Sequence, residues 1–139
     1  MNTGGNPLQV PVICVAILAL LIFLLGFLIS MVRGKTGIIY YSGSLDDPTS
    51  FLTKAVRALG NTVEFAPILA IIYLYLGTTN PDNWVYWAIV IATISRVLMV
   101  TGFLTARTLS KIHPLKAVGA TGTYLSGIAL CVAMVNSIV

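Results

Sequence analysis

Four long apolar segments divide this chain. They cover about residues 10–32, 51–76, 84–104 and 115–138. Each is close to or above the roughly 20 residues that an α-helix needs to cross a bilayer. Backbone N–H and C=O groups in hydrocarbon must find partners within their own segment, so each segment is predicted to be a helix. The pattern therefore predicts an all-α integral membrane four-helix bundle, with residues 1–139 forming a single domain.

The first segment could be mistaken for a secretory signal. No basic residue precedes it, and it is longer than the roughly 7–15 apolar residues of a signal sequence. We therefore expect it to be retained as a membrane helix.

Composition supports a membrane protein and narrows the remaining classes. The chain is 58% hydrophobic and 9% charged, whereas soluble domains carry about 25% charged residues. The net charge of +4 does not come from a continuous basic patch, so nucleic-acid binding is not expected. Cys14 and Cys131 lie in apolar segments, where cysteine usually behaves as a small hydrophobe. No group of residues has metal-ligand spacing, so no metal site is expected.

The basic residues are concentrated beside two of the three connectors. The N-terminal tail, the second connector and the C-terminus have none. Because basic loops stay in the cytoplasm, the first and third connectors are predicted to be cytoplasmic and both termini to lie on the other side. The residues concerned are Arg33, Lys35, Lys54, Arg57, Arg107, Lys111 and Lys116.

The second segment carries polar residues where hydrocarbon is expected. On a helix, Arg57, Asn61 and Glu64 fall within about 60° of one another. They form a narrow polar stripe on an apolar rod, and Lys54 extends it toward the predicted cytoplasmic end.

The third segment contains Arg96, the remaining basic residue. It precedes Arg107 by about three turns, or roughly 16 Å, and an arginine at such depth costs on the order of 2.5–3.5 kcal/mol. Glu64 is the sole acid in a predicted span, so it is the predicted partner of Arg96. Two interpretations remain open: the pair serves only to lock two helices together, or the surplus of nearby cations accepts an anionic ligand.

A family resemblance is carried by these residues. The stretch "RALGNTVEFAP", with Arg57, Asn61 and Glu64 followed by Pro67, resembles the MAPEG family, the membrane-associated proteins of eicosanoid and glutathione metabolism. Within it, the chain looks most like the microsomal glutathione transferases. The likeness extends to the four predicted helices, to Arg33 after the first segment and to Arg96 in "SRVLMVTGFLTAR".

The resemblance implies a homotrimer that binds glutathione as cosubstrate between protomers, near the cytoplasmic side. Arg57, Asn61, Glu64 and Arg96 would hold the peptide, and Arg33 would reach in from an adjacent protomer. Lys116 or Arg107 would be the catalytic cation that stabilises the glutathione thiolate. A cation lowers a thiol's pKa, so the thiolate could attack a lipophilic electrophile or peroxide.

Three departures from the family pattern keep a second function open. Gly60 stands where eicosanoid-type members have a basic residue, Phe103 where an aromatic hydroxyl is expected, and Lys116 where arginine would be the better planar partner. They argue against an eicosanoid synthase and allow a non-catalytic protein that binds a ligand or partner. A small multidrug exporter is disfavoured because the first segment contains no acid. The uncharged tails favour a bacterial inner membrane over the endoplasmic reticulum.

Overall fold

The computed structural model describes residues 6–38 and 47–138, and in this part of the chain the only regular elements are four α-helices. All four are long and apolar enough to cross a membrane, so the predicted all-α membrane bundle is confirmed. A helix of 28 residues is roughly 42 Å long, which exceeds the hydrocarbon thickness of about 30 Å. The ends of α1 and α2, which have this length, therefore reach the headgroup regions. The helices are α1 (Gln9–Thr36), α2 (Phe51–Thr78), α3 (Asn83–Thr105) and α4 (Pro114–Asn136).

The ends of α1 and α4 follow from local chemistry. The prediction ended the first helix at Val32, but α1 continues to Thr36 because Arg33 and Lys35 can remain helical at the membrane surface. Gly37 then adopts a left-handed conformation with φ of 68°, and its N–H donates to the Arg33 carbonyl oxygen, as is common after helices. Pro114 begins α4, where its missing N–H costs nothing.

The helices pack as two pairs. α1 packs mainly against α2, and α3 against α4, whereas α2 and α4 touch only slightly and α1 does not reach α4 within the described residues. A shared core joins the pairs, with contributions from all four helices. Its fully buried side chains include Leu18, Tyr73, Leu76, Ile89 and Leu130.

Glycines bring α3 and α4 into close contact. A Cβ atom added at Gly119 would lie 2.7 Å from both the Met99 nitrogen and the Ser95 carbonyl oxygen. One added at Gly102 would lie 2.7 Å from the Lys116 nitrogen. Such distances leave no room for a side chain, so the small residues of α4 serve helix packing within the bundle, in keeping with their four-residue spacing.

Candidate functional site

The first and third connectors meet at one end of the bundle. The Leu109 N–H donates to the Pro48 carbonyl oxygen at 2.9 Å. The Lys54 ammonium donates to the Ala106 carbonyl oxygen at 3.1 Å, at the residue that follows α3. These contacts bring together the start of α2, the end of α3 and the connector to α4, which is where the sequence placed its cations.

The cations at this end differ in their surroundings. Arg57 and Arg107 are exposed, and Arg33 is partly buried. None of these guanidinium groups forms an ion pair or hydrogen bond with the described residues. Lys116 behaves differently, because its ammonium lies 4.7 Å from the centre of the Phe103 ring. Three predicted site arginines are therefore available to an anion, while Lys116 has an aromatic contact.

Arg96 is held inside the bundle. The residue is 1% exposed, and its Nη2 group donates to Asn61 twice: to the carbonyl oxygen at 3.0 Å and to the side-chain Oδ1 at 2.8 Å. Its guanidinium carbon lies 5.1 Å from the centre of the Phe65 ring, within the range of a cation–π contact. Its buried Nε has no partner among the described residues. Asn61 therefore satisfies one of the three guanidinium nitrogens, and Phe65 adds a cation–π contact.

Arg96 and Glu64 do not form the direct ion pair that the sequence predicts. Glu64 is exposed, and its carboxylate forms no ion pair or hydrogen bond within the described residues. Asn61 and Glu64 differ by about 60° around the axis of α2, and the Arg96 side chain contacts α2 at Asn61. The Asn61 oxygen is consequently occupied, whereas Glu64 remains available to a ligand.

An apolar groove lies between α2 and α4. It forms because these two helices scarcely touch, and it has a volume of about 570 Å³. This size is within the usual range of small-molecule pockets. The side chains along its length include Phe65, Ile68, Ile72, Tyr124, Ile128 and Val132.

The polar stripe and the apolar groove share one face of α2. Ile68 falls within about 40° of Arg57, Asn61 and Glu64 on a helix, so the face is polar in its first turns and apolar beyond them. Phe65 marks the junction, because its ring contacts Arg96 on one side and meets Tyr124 edge-on at 5.8 Å on the other. A molecule bound along this face would contact charged side chains at one end and apolar side chains at the other, a few helical turns away.

A comparison with known proteins places this arrangement in a family. The family model that matches is that of the MAPEG family, and it covers residues 11–136. The chain belongs to the MAPEG family. With its four apolar helices, it is an integral, multi-pass membrane protein. MAPEG proteins include glutathione-related enzymes and non-catalytic members. No curated protein and no solved structure matches the chain.

The departures from the MAPEG pattern now have physical descriptions. A Cβ atom added at Gly60 would meet nothing within 4 Å, so packing does not require glycine there. The chain therefore differs from eicosanoid-type members at this position in charge and not in packing. Phe103 carries no hydroxyl and supports the Lys116 ammonium. The α3 position where a hydroxyl was expected therefore serves a cation–π contact instead.

Phe65 and Tyr124 line the groove but were not among the predicted site residues, because the register of Tyr124 relative to the site could not be fixed from sequence. Each belongs to an apolar helix, and no pattern within one helix shows that the two rings meet. The available signal was weak: Phe65 directly follows Glu64, and Tyr124 is the sole tyrosine of α4.

Proposed function

We propose that this MAPEG protein binds glutathione along Arg57, Asn61 and Glu64 and transfers its thiolate to a lipophilic electrophile or peroxide in the groove between α2 and α4. The observation that carries the proposal is the continuity of the polar stripe with the apolar groove on one face of α2. A water-soluble peptide and a lipid-soluble cosubstrate would then meet near Phe65.

The charges of the stripe suit glutathione. Glutathione has two carboxylates and one ammonium group, and the available Arg57 and Glu64 side chains offer one partner for each sign. The Asn61 amide nitrogen can donate a further hydrogen bond, because only its oxygen is used by Arg96. Arg96 would then act on the ligand indirectly, by fixing the orientation of Asn61. In a homotrimer, Arg33 of a neighbouring protomer would complete the anion site.

Thiolate formation would depend on cations at the same end of the bundle. Lys116 and Arg107 are the candidates, because a positive charge near the sulfur favours its ionised form. The thiolate would form a bond to an electrophilic carbon and expel a leaving group. Alternatively, it would attack a hydroperoxide oxygen to give glutathione sulfenic acid and an alcohol, and a second glutathione would then form the disulfide and release water. The basic connectors would face the cytoplasm, and a bacterial inner membrane is the proposed location.

Calorimetry tests the binding part of the proposal. Glutathione should release or absorb heat when titrated into the detergent-solubilised protein, and Arg57→Ala or Glu64→Ala should abolish that signal. Lys35→Ala is the matched control, because it removes an exposed cation that lies off the stripe. Binding that survives both stripe substitutions would locate the site elsewhere.

An activity assay separates the two candidate functions. Conjugation of chlorodinitrobenzene by the wild-type protein would support an enzyme. Glutathione binding without conjugation or peroxide reduction would support a non-catalytic MAPEG protein. The contact between Lys116 and Phe103 favours this second function, since it draws one candidate cation onto an aromatic ring. Chemical crosslinking would show whether the assembly is a trimer.

A further inference from the structure

The connector between α3 and α4 exposes an apolar side chain at the point where the chain leaves the membrane. Ile112 lies in this connector, residues 106–113. It is 88% exposed, more than Phe23 in the middle of α1, which is 75% exposed. Lys111 directly precedes it and is also exposed. Within residues 6–38 and 47–138, therefore, no side chain covers Ile112.

The connector is held in place on both sides of its centre, so this exposure belongs to the fold. The Leu109 N–H donates to the Pro48 carbonyl oxygen at 2.9 Å. The Ala106 carbonyl oxygen accepts a hydrogen bond from the Lys54 ammonium at 3.1 Å. Ile112 follows Leu109 by three residues, and its backbone is therefore close to a fixed point.

The connector lies at the level of the lipid headgroups. α3 and α4 each have 23 residues, which corresponds to roughly 34 Å, slightly more than the hydrocarbon thickness of about 30 Å. Both helices end at the connector, so residues 106–113 begin where the hydrocarbon ends. In this zone an isoleucine can be buried among acyl chains while a lysine or arginine beside it extends to a phosphate.

This end of the bundle is strongly cationic. Seven of the eight Lys and Arg residues lie beside the first and third connectors, whereas the acids of these connectors are Asp46 and Asp47. The Asp47 carboxylate is already hydrogen-bonded within its own turn. Arg107 and Lys111 are exposed and form no ion pair or hydrogen bond with any described residue. The surface around Ile112 is therefore complementary to negative charge.

We propose that the connector 106–113 is a docking site for an anionic phospholipid, with Arg107 and Lys111 bound to the headgroup phosphate and Ile112 inserted among the acyl chains. A zwitterionic lipid carries the same phosphate together with a positive group, so the surplus of cations favours a headgroup of net negative charge. A soluble phosphate would satisfy the cations but leave Ile112 in water. A protein partner would have to reach this side chain through the headgroup layer.

Native mass spectrometry of the full-length protein in detergent measures the affinity of the site. The first phosphatidylglycerol should bind at least about fivefold more tightly than the first phosphatidylcholine. Lys111→Gln should weaken phosphatidylglycerol binding roughly fivefold, as expected for one basic residue beside an anionic surface. Lys35→Gln is the matched control, because it removes an exposed cation at the end of α1, and it should change this affinity less than about twofold. Arg107 is kept because it is also a candidate cation for the thiolate.

Fluorescence locates the side chain at position 112 relative to the membrane. Trp84→Phe and Trp87→Phe remove both native tryptophans, and Ile112→Trp then supplies the single indole of the chain. In phosphatidylglycerol vesicles, lipid brominated near its headgroup should quench this indole, and water-soluble acrylamide should quench it much less. Circular dichroism of the variant should match that of the wild type, because all three positions are exposed.

Three results would overturn the inference. Equal affinity for the two lipids, or equal losses in Lys111→Gln and Lys35→Gln, would mean that only a general attraction between charges operates. An indole quenched by acrylamide and not by lipid would lie in water. An indole shielded from both quenchers would be covered by protein, such as a second copy of this chain. None of these measurements involves glutathione, so their outcome is independent of the proposed transferase.

Discussion

Replacing Asn61 with alanine tests how the buried cation of the bundle is stabilised. The substitution removes the Oδ1 acceptor at 2.8 Å and leaves the backbone acceptor at 3.0 Å. A hydrogen bond to a charged group contributes about 1.5–3 kcal/mol. Because Arg96 is almost fully buried, water cannot readily replace the lost partner. We therefore expect the free energy of unfolding to fall by about 1.5–3 kcal/mol, or roughly 10- to 140-fold in the unfolding equilibrium.

The measurement is reversible unfolding in mixed micelles. Helix content from circular dichroism and fluorescence from Trp84 and Trp87 would be followed as the fraction of denaturing detergent rises. Thr101→Ala is the matched control, because it also deletes a hydrogen-bonding side chain of a membrane helix. The Thr101 hydroxyl is exposed and bonds only to the Val97 carbonyl oxygen of its own helix, so the expected change is within about 0.5 kcal/mol.

A double-mutant cycle isolates the contact itself. Arg96→Met keeps an unbranched apolar stem and removes the charge, so Asn61→Ala should cost much less in that background. The coupling between the two substitutions should be at least about 1 kcal/mol. If Asn61→Ala has the same effect with and without Arg96, or none in the wild type, the guanidinium does not depend on this side chain and the reasoning is refuted.

Three further predictions concern the packing of α3 against α4, the contact between Lys54 and the end of α3, and the pH dependence of the turn before α2. Gly119→Ala should destabilise the protein by about 1–3 kcal/mol, since the added Cβ atom would lie 2.7 Å from the α3 backbone. Gly127→Ala is the control: its Cβ atom would meet nothing within 4 Å, so it should stabilise the protein by about 0.5–1 kcal/mol. Equal melting temperatures of the two variants would contradict the close approach of α3 and α4. Lys54→Met should weaken the attachment of the α3 end by about 1 kcal/mol and raise amide hydrogen exchange in residues 106–110 roughly fivefold, while unchanged exchange would mean that the ammonium contact is dispensable. Hydrogen bonds from Thr49 lower the pKa of Asp47, so the turn before α2 should be stable above about pH 3.9 and loosen as pH falls through that lowered pKa. The Thr49 amide resonance should report this transition, and Asp47→Asn should abolish it.

The four helices could be predicted from sequence because the bilayer imposes a simple length requirement. The predicted start of α2 at Phe51 agrees with the structure, since Pro48 and the polar residues after it leave little ambiguity. The end of α1 was predicted four residues early, because charge was taken as the limit of the helix. Gly37, which adopts the left-handed conformation, was the better signal.

The partner of Arg96 could not be predicted, because it depends on how two helices are rotated against each other. The charge of Glu64 made it the predicted partner. Glu64 and Asn61 lie three residues apart on α2, so their depth in the membrane could not decide between them. The close packing of α3 and α4 through Gly102 and Gly119 helps to set the orientation of α3, and that orientation directs Arg96 to Asn61. The position of Tyr124 could not be predicted for the same reason, since its register relative to α2 depends on packing between helices.

The order of the helices along the chain has a consequence for biosynthesis. α1 has no charged residue before Arg33 and can enter a bilayer without any partner. α2 follows and brings Asn61 into the membrane before α3 has been made. When Arg96 emerges with α3, the two oxygen atoms that accept its hydrogen bonds are already at membrane depth. Reversing the two helical pairs in a circularly permuted chain would insert the cation before its acceptors, and we expect such a chain to insert less efficiently.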